Sequence, residues 1–387
     1  MSTVNKILVI GAGIAGPAVC YWLKKFGFSP VLIEKFTDRR KGGQALDIRG
    51  VVVDLVKKMG VYEQICNRRT RVELGRYVDA EGNTLHEEKG ERAGFRQDEE
   101  VEILRGDLID ILMGALEGVP CHFNQLVSRI QQNNEGVIVH FQDGRNEHYD
   151  LVIGADGIHS ATRRIVFDKD DYQLVNLGSY LSIFSIPNYL NLSHTEVLCE
   201  ANQKLASITS DKNPKRAQAA FMFRSSSVLN NRRDENEQKQ FLRDTFQNFG
   251  WEVPKVLELM SGSDDFYFDS ITQVKMESWT KGRVALLGDA GYCASPLSGQ
   301  GNNLAMAGAY ILAGELKKAG GNYTQAFNRY NELLHPFVEA NQKFGVWVSK
   351  SFLVQDKVSK EIAEERSDSI LKEIKIVSNS ISLPEYE

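Results

Sequence analysis

The hydrophobic pattern of the first 34 residues predicts a strand, a helix and a second strand. An apolar run over residues 5–10 ends at a glycine-rich turn, and apolar residues recur at helical spacing over 14–26. A second apolar run over 30–34 ends in an acidic residue, Glu34. This order of elements is typical of the unit that opens a parallel sheet with helices on its faces.

The pattern changes twice farther along the chain. Before residue 154 it predicts an amphipathic helix over 51–66, a hairpin turn at 81–83, a helix over 105–116 and three alternating strands. Between about 171 and 269 it predicts one antiparallel sheet, with strands near 181–186, 197–199, 205–208 and 219–223, followed by a helix over 235–249. After a last apolar strand near 283–287, three helices are predicted, over 302–318, 323–349 and 357–380.

These elements predict an α/β fold with a Rossmann-like nucleotide-binding domain, an inserted antiparallel-sheet domain and C-terminal helices. The nucleotide-binding domain is discontinuous and takes residues 1–70, 101–170 and 270–320. Residues 71–100 and 171–269 form the inserted domain, which we expect to bind the substrate. Residues 321–387 form helices that bridge the two domains or act as a lid.

Composition narrows the class of protein. The 387 residues are 42% hydrophobic and 25% charged, with a net charge of −5, which is ordinary for a globular enzyme and gives no basic tract for nucleic acid. Five scattered cysteines without a CxxC pair argue against a disulfide framework and a zinc site. No apolar run reaches membrane-spanning length, and the N-terminus lacks the features of a signal peptide. We therefore expect a cytoplasmic protein without a metal site.

The glycine-rich turn predicts a dinucleotide site. Gly11 permits the tight turn, Gly13 lets the backbone approach a pyrophosphate, and Gly16 lets the helix pack closely on the strand. The diphosphate would then lie at the positive end of the helix that begins near Ile14. Glu34 follows about 20 residues later, where an acidic residue binds the adenosine ribose. The predicted contacts are Gly11, Gly13, Ile14, Ala15, Gly16, Glu34 and the neighbouring Lys35.

Two later segments complete a set of three motifs in a fixed order. One is Asp156-Gly157 with Ser160 and Arg163, and the other is Gly288-Asp289 followed by the run Pro-Leu-Ser-Gly-Gln-Gly at 296–301. With the glycine turn, these segments resemble those of the class A FAD-dependent monooxygenases, the para-hydroxybenzoate hydroxylase-like family. More narrowly, Gly-Gly-Gln-Ala-Leu-Asp at 42–47 and the extra C-terminal helix resemble the tetracycline-inactivating monooxygenases, or tetracycline destructases.

The resemblance implies roles for several residues. It places Asp289 at the flavin ribityl chain, Arg105 at the ribityl or pyrophosphate side, Gly301 and Asn302 at the pyrimidine edge, and Asp47 near the flavin ring. Each residue also has a plain structural interpretation, such as a turn, a helix cap or a helix-start ion pair. The cofactor residues taken from the resemblance are Asp47, Arg105, Asp156, Gly288, Asp289, Pro296, Gly299, Gly301 and Asn302.

The reaction that the resemblance implies is centred on flavin, so no catalytic side chain is expected. NADPH would reduce FAD, and O2 would add to give a C4a-hydroperoxyflavin that hydroxylates and inactivates a tetracycline. The enzyme would act as a monomer, with a small-molecule substrate and no membrane or nucleic-acid partner. Two alternatives stay open: a hydroxylase of another phenolic or polyketide substrate, and a non-oxygenating flavin-containing binding protein.

Candidate substrate residues follow from strand parity and from the closer resemblance. Only one parity of the strand at 221–223 can face a pocket, and we expect Met222 to do so. Phe95 and Arg96 would give an aromatic wall and a cation for an enolate, with a solvated loop as the alternative. Gln44 and Trp347 are further candidates. The last helix has an apolar face and either packs permanently on the domain seam or forms a lid.

Overall fold

The computed structural model describes residues 4–38, 43–90, 96, 99–211, 213–226, 234–351, 353 and 360–386. The strands are β1 Lys6–Ile10, β2 Ser29–Ile33, β3 Ala45–Ile48, β4 Leu74–Val78, β5 Thr84–Lys89, β6 Val101–Leu104, β7 Cys121–His122, β8 Val127–Gln132, β9 Val137–Phe141, β10 Asn146–Tyr149, β11 Leu151–Gly154, β12 Tyr172–Pro187, β13 Thr195–Ala201, β14 Lys204–Ser210, β15 Arg216–Arg224, β16 Tyr267–Met276, β17 Thr280–Lys281 and β18 Val284–Leu286.

The helices alternate with these strands. They are α1 Ala15–Lys25, α2 Val51–Lys58, α3 Tyr62–Asn67, α4 Arg105–Gly114, α5 Ala161–Val166, α6 Glu235–Phe246, α7 Val253–Leu259, α8 Asp289–Tyr292, α9 Gly301–Lys318, α10 Tyr323–Ser351 and α11 Lys360–Ser378. Among the described residues, no helix combines the length and apolar content needed to cross a membrane.

A six-stranded sheet in the order β17-β18-β11-β1-β2-β7 forms the first layer. Its four central strands run parallel, with β1 between β2 and β11. The strands are apolar on both faces because helices and a second small sheet cover them, and Ile7 and Leu8, which point to opposite faces, are both completely buried. Helix α1 packs on α9, where the Trp22 and Tyr310 ring centroids lie 4.8 Å apart. The prediction of a Rossmann-like α/β fold is confirmed.

A seven-stranded sheet in the order β16-β12-β15-β14-β13-β4-β5 forms the second domain. All its pairings are antiparallel except β13 with β4. One face buries an aromatic cluster under α6, in which the Phe221 and Phe246 ring centroids are 4.9 Å apart. The other face meets the first domain, where Gln218 Nε2 donates to the Gly43 carbonyl at 3.2 Å. Strand β16 runs through the sequence-predicted boundary at 269/270.

The prediction of one helix over residues 51–66 is wrong, because the segment forms two helices, α2 and α3. Gly60 has φ +73° and breaks the helix between α2 and α3. The Gly60 amide bonds to the Lys57 carbonyl and the Val61 amide to the Val56 carbonyl, which closes α2 with a left-handed cap. A single glycine within an apolar periodicity gives no clear sign of whether it ends the helix or is tolerated.

Helix α11 bridges the two domains. Its residues Ile370, Ile374 and Val377 pack with α10 and with Leu297 of the first domain. On the other side, Arg366 forms an ion pair with Glu200 of β13 at 2.7 Å, with only 8% and 4% of the two side chains exposed. The chain then continues along the first domain, where the Tyr386 hydroxyl donates to Glu315 at 2.6 Å. These contacts support the seam-packing interpretation of the helix in this conformation.

We predict that the Arg366→Ala variant will loosen α11. Removing the guanidinium leaves the Glu200 carboxylate buried without its counterion, which costs on the order of 3–5 kcal/mol. Hydrogen–deuterium exchange should become faster in peptides from residues 360–378. The matched control is Lys343→Ala, because Lys343 pairs with Glu339 at the exposed surface of α10. Equal exchange in both variants would show that the ion pair does not hold the helix.

Candidate cofactor site

The turn between β1 and α1 depends on two glycines. Gly11 has φ +111°, and a Cβ at this position would lie 2.5 Å from the Ala155 carbonyl oxygen. A Cβ at Gly16 would lie 1.9 Å from the Gly11 carbonyl oxygen, closer than any real contact. Side chains at either position would therefore push the helix off the strand. At Gly13, among the described residues beyond its chain neighbours, only Arg105 Nη2 lies within 4 Å of an added Cβ, at 3.9 Å. Gly13 is therefore not required for close packing, and its lack of a side chain leaves room for a ligand to approach the backbone.

The start of α1 has the features of an anion-binding site. Ile14, at the N-cap, makes no side-chain capping bond, so the first-turn amides are not satisfied by a cap. The helix dipole adds partial positive charge at the same place. Glu34 Oε2 accepts from the Ala12 amide at 2.7 Å, which ties the end of β2 to the turn. Lys35 Nζ lies 5.0 Å from the centre of the Phe36 ring.

Arg105 lies between the glycine turn and β3. Its amide donates to the Gln44 carbonyl at 3.0 Å, and a Cβ on Gly43 would lie 3.4 Å from Arg105 Cβ. Its guanidinium reaches the open side of Gly13. The structure therefore brings a cation to the helix end where the sequence predicts a diphosphate, and the two charges would offset one another.

Asp289 is exposed, and with Gly13 and Arg105 it borders a region that we name the crevice. Desolvation raises the pKa of its carboxyl, against the lowering effects of a hydrogen bond with Cys293 and of Arg105. The preceding Gly288 has φ +65° and a Cβ there would lie 3.3 Å from the Cβ of both Ala15 and Ala305. This close packing sets Asp289 beside the start of α1.

The loop before α9 carries backbone strain. Ser295 has φ +79° and Gly299 has φ +61°, on either side of the turn that starts at Pro296. A non-glycine residue in this region costs on the order of 1–3 kcal/mol and is typical of functional loops. Gly301 follows, and a Cβ there would lie 3.8 Å from Asp289 Oδ1. The first turn of α9 therefore faces the same crevice as Asp289.

Asparagine side chains join α9 to β3. Asn302 Nδ2 and Asn303 Nδ2 donate to the Asp47 carbonyl at 2.8 and 3.1 Å. Asp47 Oδ2 pairs with Arg49 Nη2 at 2.7 Å, whereas Asp47 Oδ1 is buried and has no hydrogen-bond partner in the part of the chain that the structure describes. Gln300 Nε2 is a second buried atom without one. Two orphaned polar atoms beside an uncapped helix start are the expected state of a site that a polar ligand completes.

These residues fit FAD. An open glycine turn, an uncapped helix start and Arg105 fit a pyrophosphate, and Asp289 supplies an acceptor for hydroxyl groups. The start of α9, with Asp47 alongside, offers donors and acceptors for the polar edge of a flavin ring. Eleven of the sequence-predicted cofactor residues thus surround one crevice: Gly11, Gly13, Ile14, Ala15, Gly16, Asp47, Arg105, Gly288, Asp289, Gly301 and Asn302.

The segment at 156–163 has a local structural role in this structure. Asp156 Oδ2 accepts from the Ala161 and Thr162 amides at 2.8 and 3.0 Å, which caps α5. The Arg163 guanidinium donates to the Ala290 and Ile158 carbonyls, both at 2.6 Å, and so ties this loop to α8. A contact between Asp156 and the cofactor therefore stays a prediction.

The predicted substrate residues are more dispersed. Met222 lies on the face of β15 opposite the buried Phe221 and Phe223, the same face as Gln218. Arg96 pairs with Glu102 at 3.0 Å and is not a solvated loop residue. Trp347 is 37% exposed and stacks on Phe344. Phe95 lies outside the described residues.

Glu102 is an acidic neighbour of Asp47 that the sequence analysis did not single out. It is paired in register with Asp47 across β3 and β6, and it also contacts Thr70. Desolvation, followed by the Asp47 carboxylate, raises the pKa of Glu102 to about 7, although Arg96 and Thr70 lower it. The only sequence signal is an acidic residue within a short apolar strand, and nothing in the sequence indicates which strand faces it.

Comparison with known proteins identifies an FAD-binding family. A family model described as FAD binding domain matches residues 5–344. A flavin-dependent monooxygenase of Legionella longbeachae is 68% identical over 387 residues, which is 100% of both chains. The crystal structure of tetracycline destructase Tet(51) is 70% identical with a TM-score of 0.92, covering 99% of this chain and 100% of that one. Tetracycline destructase Tet(55) is 57% identical with a TM-score of 0.94, covering 100% of each chain.

We predict that Gly13→Ala will lower FAD affinity and that Gly16→Ala will lower the stability of the fold. At Gly13 the added methyl enters open space, so the fold should survive while FAD affinity falls by roughly tenfold. At Gly16 the methyl meets the Gly11 carbonyl, so the fold should lose about 1–3 kcal/mol. The ratio of flavin to protein absorbance and the thermal melt of each variant measure the two effects. A Gly13→Ala protein with full FAD affinity would contradict the placement of the diphosphate.

Glu102 should make stability depend on pH. Its pKa in the folded protein is about 7, above the usual 4.5, so the folded state binds the extra proton between these values. The contribution of Glu102 to the free energy of unfolding is therefore largest below about pH 4.5 and declines as the pH rises to about 7. Glu102→Gln should gain stability relative to the parent across that window in urea titrations. Glu99→Gln, at an exposed neighbouring position, is the control.

Proposed function

The chain belongs to the FAD-binding family of flavin-dependent monooxygenases, and from that premise we propose that it hydroxylates and inactivates tetracycline antibiotics with NADPH and O2. The observation that carries the proposal is the grouping of Gly13, Arg105 and Asp289 in the first domain, next to the point where Gln218 of the substrate sheet donates to the Gly43 carbonyl. Support for the substrate comes from the two tetracycline destructases, which share this fold over their full length.

The first domain binds and orients the cofactor in this proposal. The amides of Ile14 and Ala15, together with Arg105, hold the pyrophosphate, and Asp289 accepts from the ribityl hydroxyls. When bound, FAD supplies the redox chemistry, namely acceptance of hydride from NADPH and activation of O2. The start of α9 at Gly301 stabilises negative charge on the flavin ring through its amides and dipole.

The second domain positions the substrate and excludes water. The face of β15 that carries Gln218 and Met222 is turned toward the first domain, while the aromatic cluster on the other face keeps the sheet rigid. Arg96, held at 3.0 Å by Glu102, is a cation beside this wall and suits the enolate of a tetracycline. Helix α11 closes the seam between the domains. We further propose that the enzyme works as a monomer in the cytoplasm, with Gln44 and Trp347 at the substrate side.

Mass spectrometry of a tetracycline incubated with the enzyme, NADPH and ¹⁸O2 tests the function. One labelled oxygen should enter the drug, because a monooxygenase transfers a single atom of O2. The control repeats the incubation with H2¹⁸O and ordinary O2, where the primary product should stay unlabelled. NADPH consumption with simple phenols but not with tetracyclines would replace this substrate by a phenolic or polyketide one. An unchanged drug without oxygen uptake would instead indicate a binding protein.

A further inference from the structure

One face of strand β16, which carries Tyr267 and Asp269, is turned toward the first domain. Side chains alternate along the strand, and Phe268 packs in the aromatic cluster on the α6 side. Tyr267 and Asp269 therefore lie on the opposite face, where both are only partly exposed. His159 of the first domain contacts Asp269 at 2.8 Å, so this face of β16 meets the first domain directly.

The Tyr267 backbone is fixed by its neighbours in the sheet. It is paired with Ile183 of β12, and its carbonyl accepts from Ser182 Oγ at 3.0 Å. A residue held in this way cannot turn its ring toward the opposite face of the sheet without breaking the pairing. The direction of the phenol is thus set by the strand.

Strand β16 packs along the short helix that Asp289 begins, where the Val274 amide donates to the Cys293 carbonyl at 3.0 Å. The Tyr267 hydroxyl is within electrostatic range of residues that border the crevice. Desolvation is the main cause that raises its pKa, and the carboxyls of Asp269 and Asp289 and the Cys293 thiol raise it further, while Arg105 lowers it.

Among the described residues, Tyr267 accepts a hydrogen bond through its carbonyl, and its hydroxyl forms none. The side chain is half-buried and its hydroxyl is not sealed from solvent, so a ligand can replace water as its hydrogen-bond partner. Because the pKa is raised, the hydroxyl keeps its proton at all physiological pH values and can donate it.

We propose that Tyr267 is a cofactor-binding residue supplied by the substrate sheet, whose phenol donates a hydrogen bond to FAD on the side held by Asp289. The cofactor then contacts both domains, so that release of FAD requires the sheet to separate from the first domain at β16. The inference needs FAD binding alone and does not depend on tetracycline as the substrate.

The test compares Tyr267→Phe with Tyr189→Phe in the holoenzyme. Tyr189 is in the same domain but donates to Glu252 at 2.9 Å, so its variant loses a hydroxyl with a known partner away from the crevice. FAD dissociation is followed by the rise in flavin fluorescence on serial dilution, without NADPH or drug. Tyr267→Phe should raise the dissociation constant about 3- to 10-fold, whereas Tyr189→Phe should leave it unchanged.

Two results would overturn the proposal. One is an unchanged FAD dissociation constant in Tyr267→Phe, including the case in which only the KM for the drug increases, which would assign the phenol to the substrate. The other is an equal loss of FAD in both variants, which would indicate a general effect of the domain. Circular dichroism verifies that each variant is folded, and the flavin absorption bands at saturating FAD provide a second readout of the lost hydrogen bond.

Discussion

The close approach of backbone to backbone at Gly11 and Gly16 is the contact on which the rest of the site depends. Only because no Cβ intervenes can α1 start directly against β1 and β11. That position leaves the first-turn amides uncapped and brings Ala15 against Gly288. Asp289 and the start of α9 follow from the same packing. The whole polar lining of the crevice is therefore fixed by two positions where a methyl group cannot fit.

The two domains are joined by polar contacts as well as apolar ones. Gln218 of the second domain donates to the Gly43 carbonyl of the first, and the buried pair of Arg366 and Glu200 holds α11 to the second domain. Such contacts are directional, so they fix the relative position of the domains more precisely than apolar packing. Precise positioning matters in a monooxygenase because oxygen transfer requires the reacting groups to be aligned.

Much of the fold could be predicted from the sequence, in the segments whose structure is decided by local chemistry. The strand, glycine turn and helix at the start of the chain and the antiparallel sheet follow from periodicity and turn residues. The break at Gly60, the register that sets Glu102 against Asp47, and the parallel pairing of β13 with β4 could not be predicted. Each depends on which distant segment packs alongside, and periodicity carries no information on that choice. Tyr267 was missed for the same reason.

The two orphaned atoms in the crevice, Asp47 Oδ1 and Gln300 Nε2, have a consequence for the living cell. Buried polar atoms without partners lower the stability of the polypeptide alone, so a ligand that satisfies them becomes part of the folded core. Proteolytic turnover acts on the unfolded fraction of a protein. The amount of this enzyme that a cell maintains would therefore depend on the supply of the ligand that satisfies these atoms.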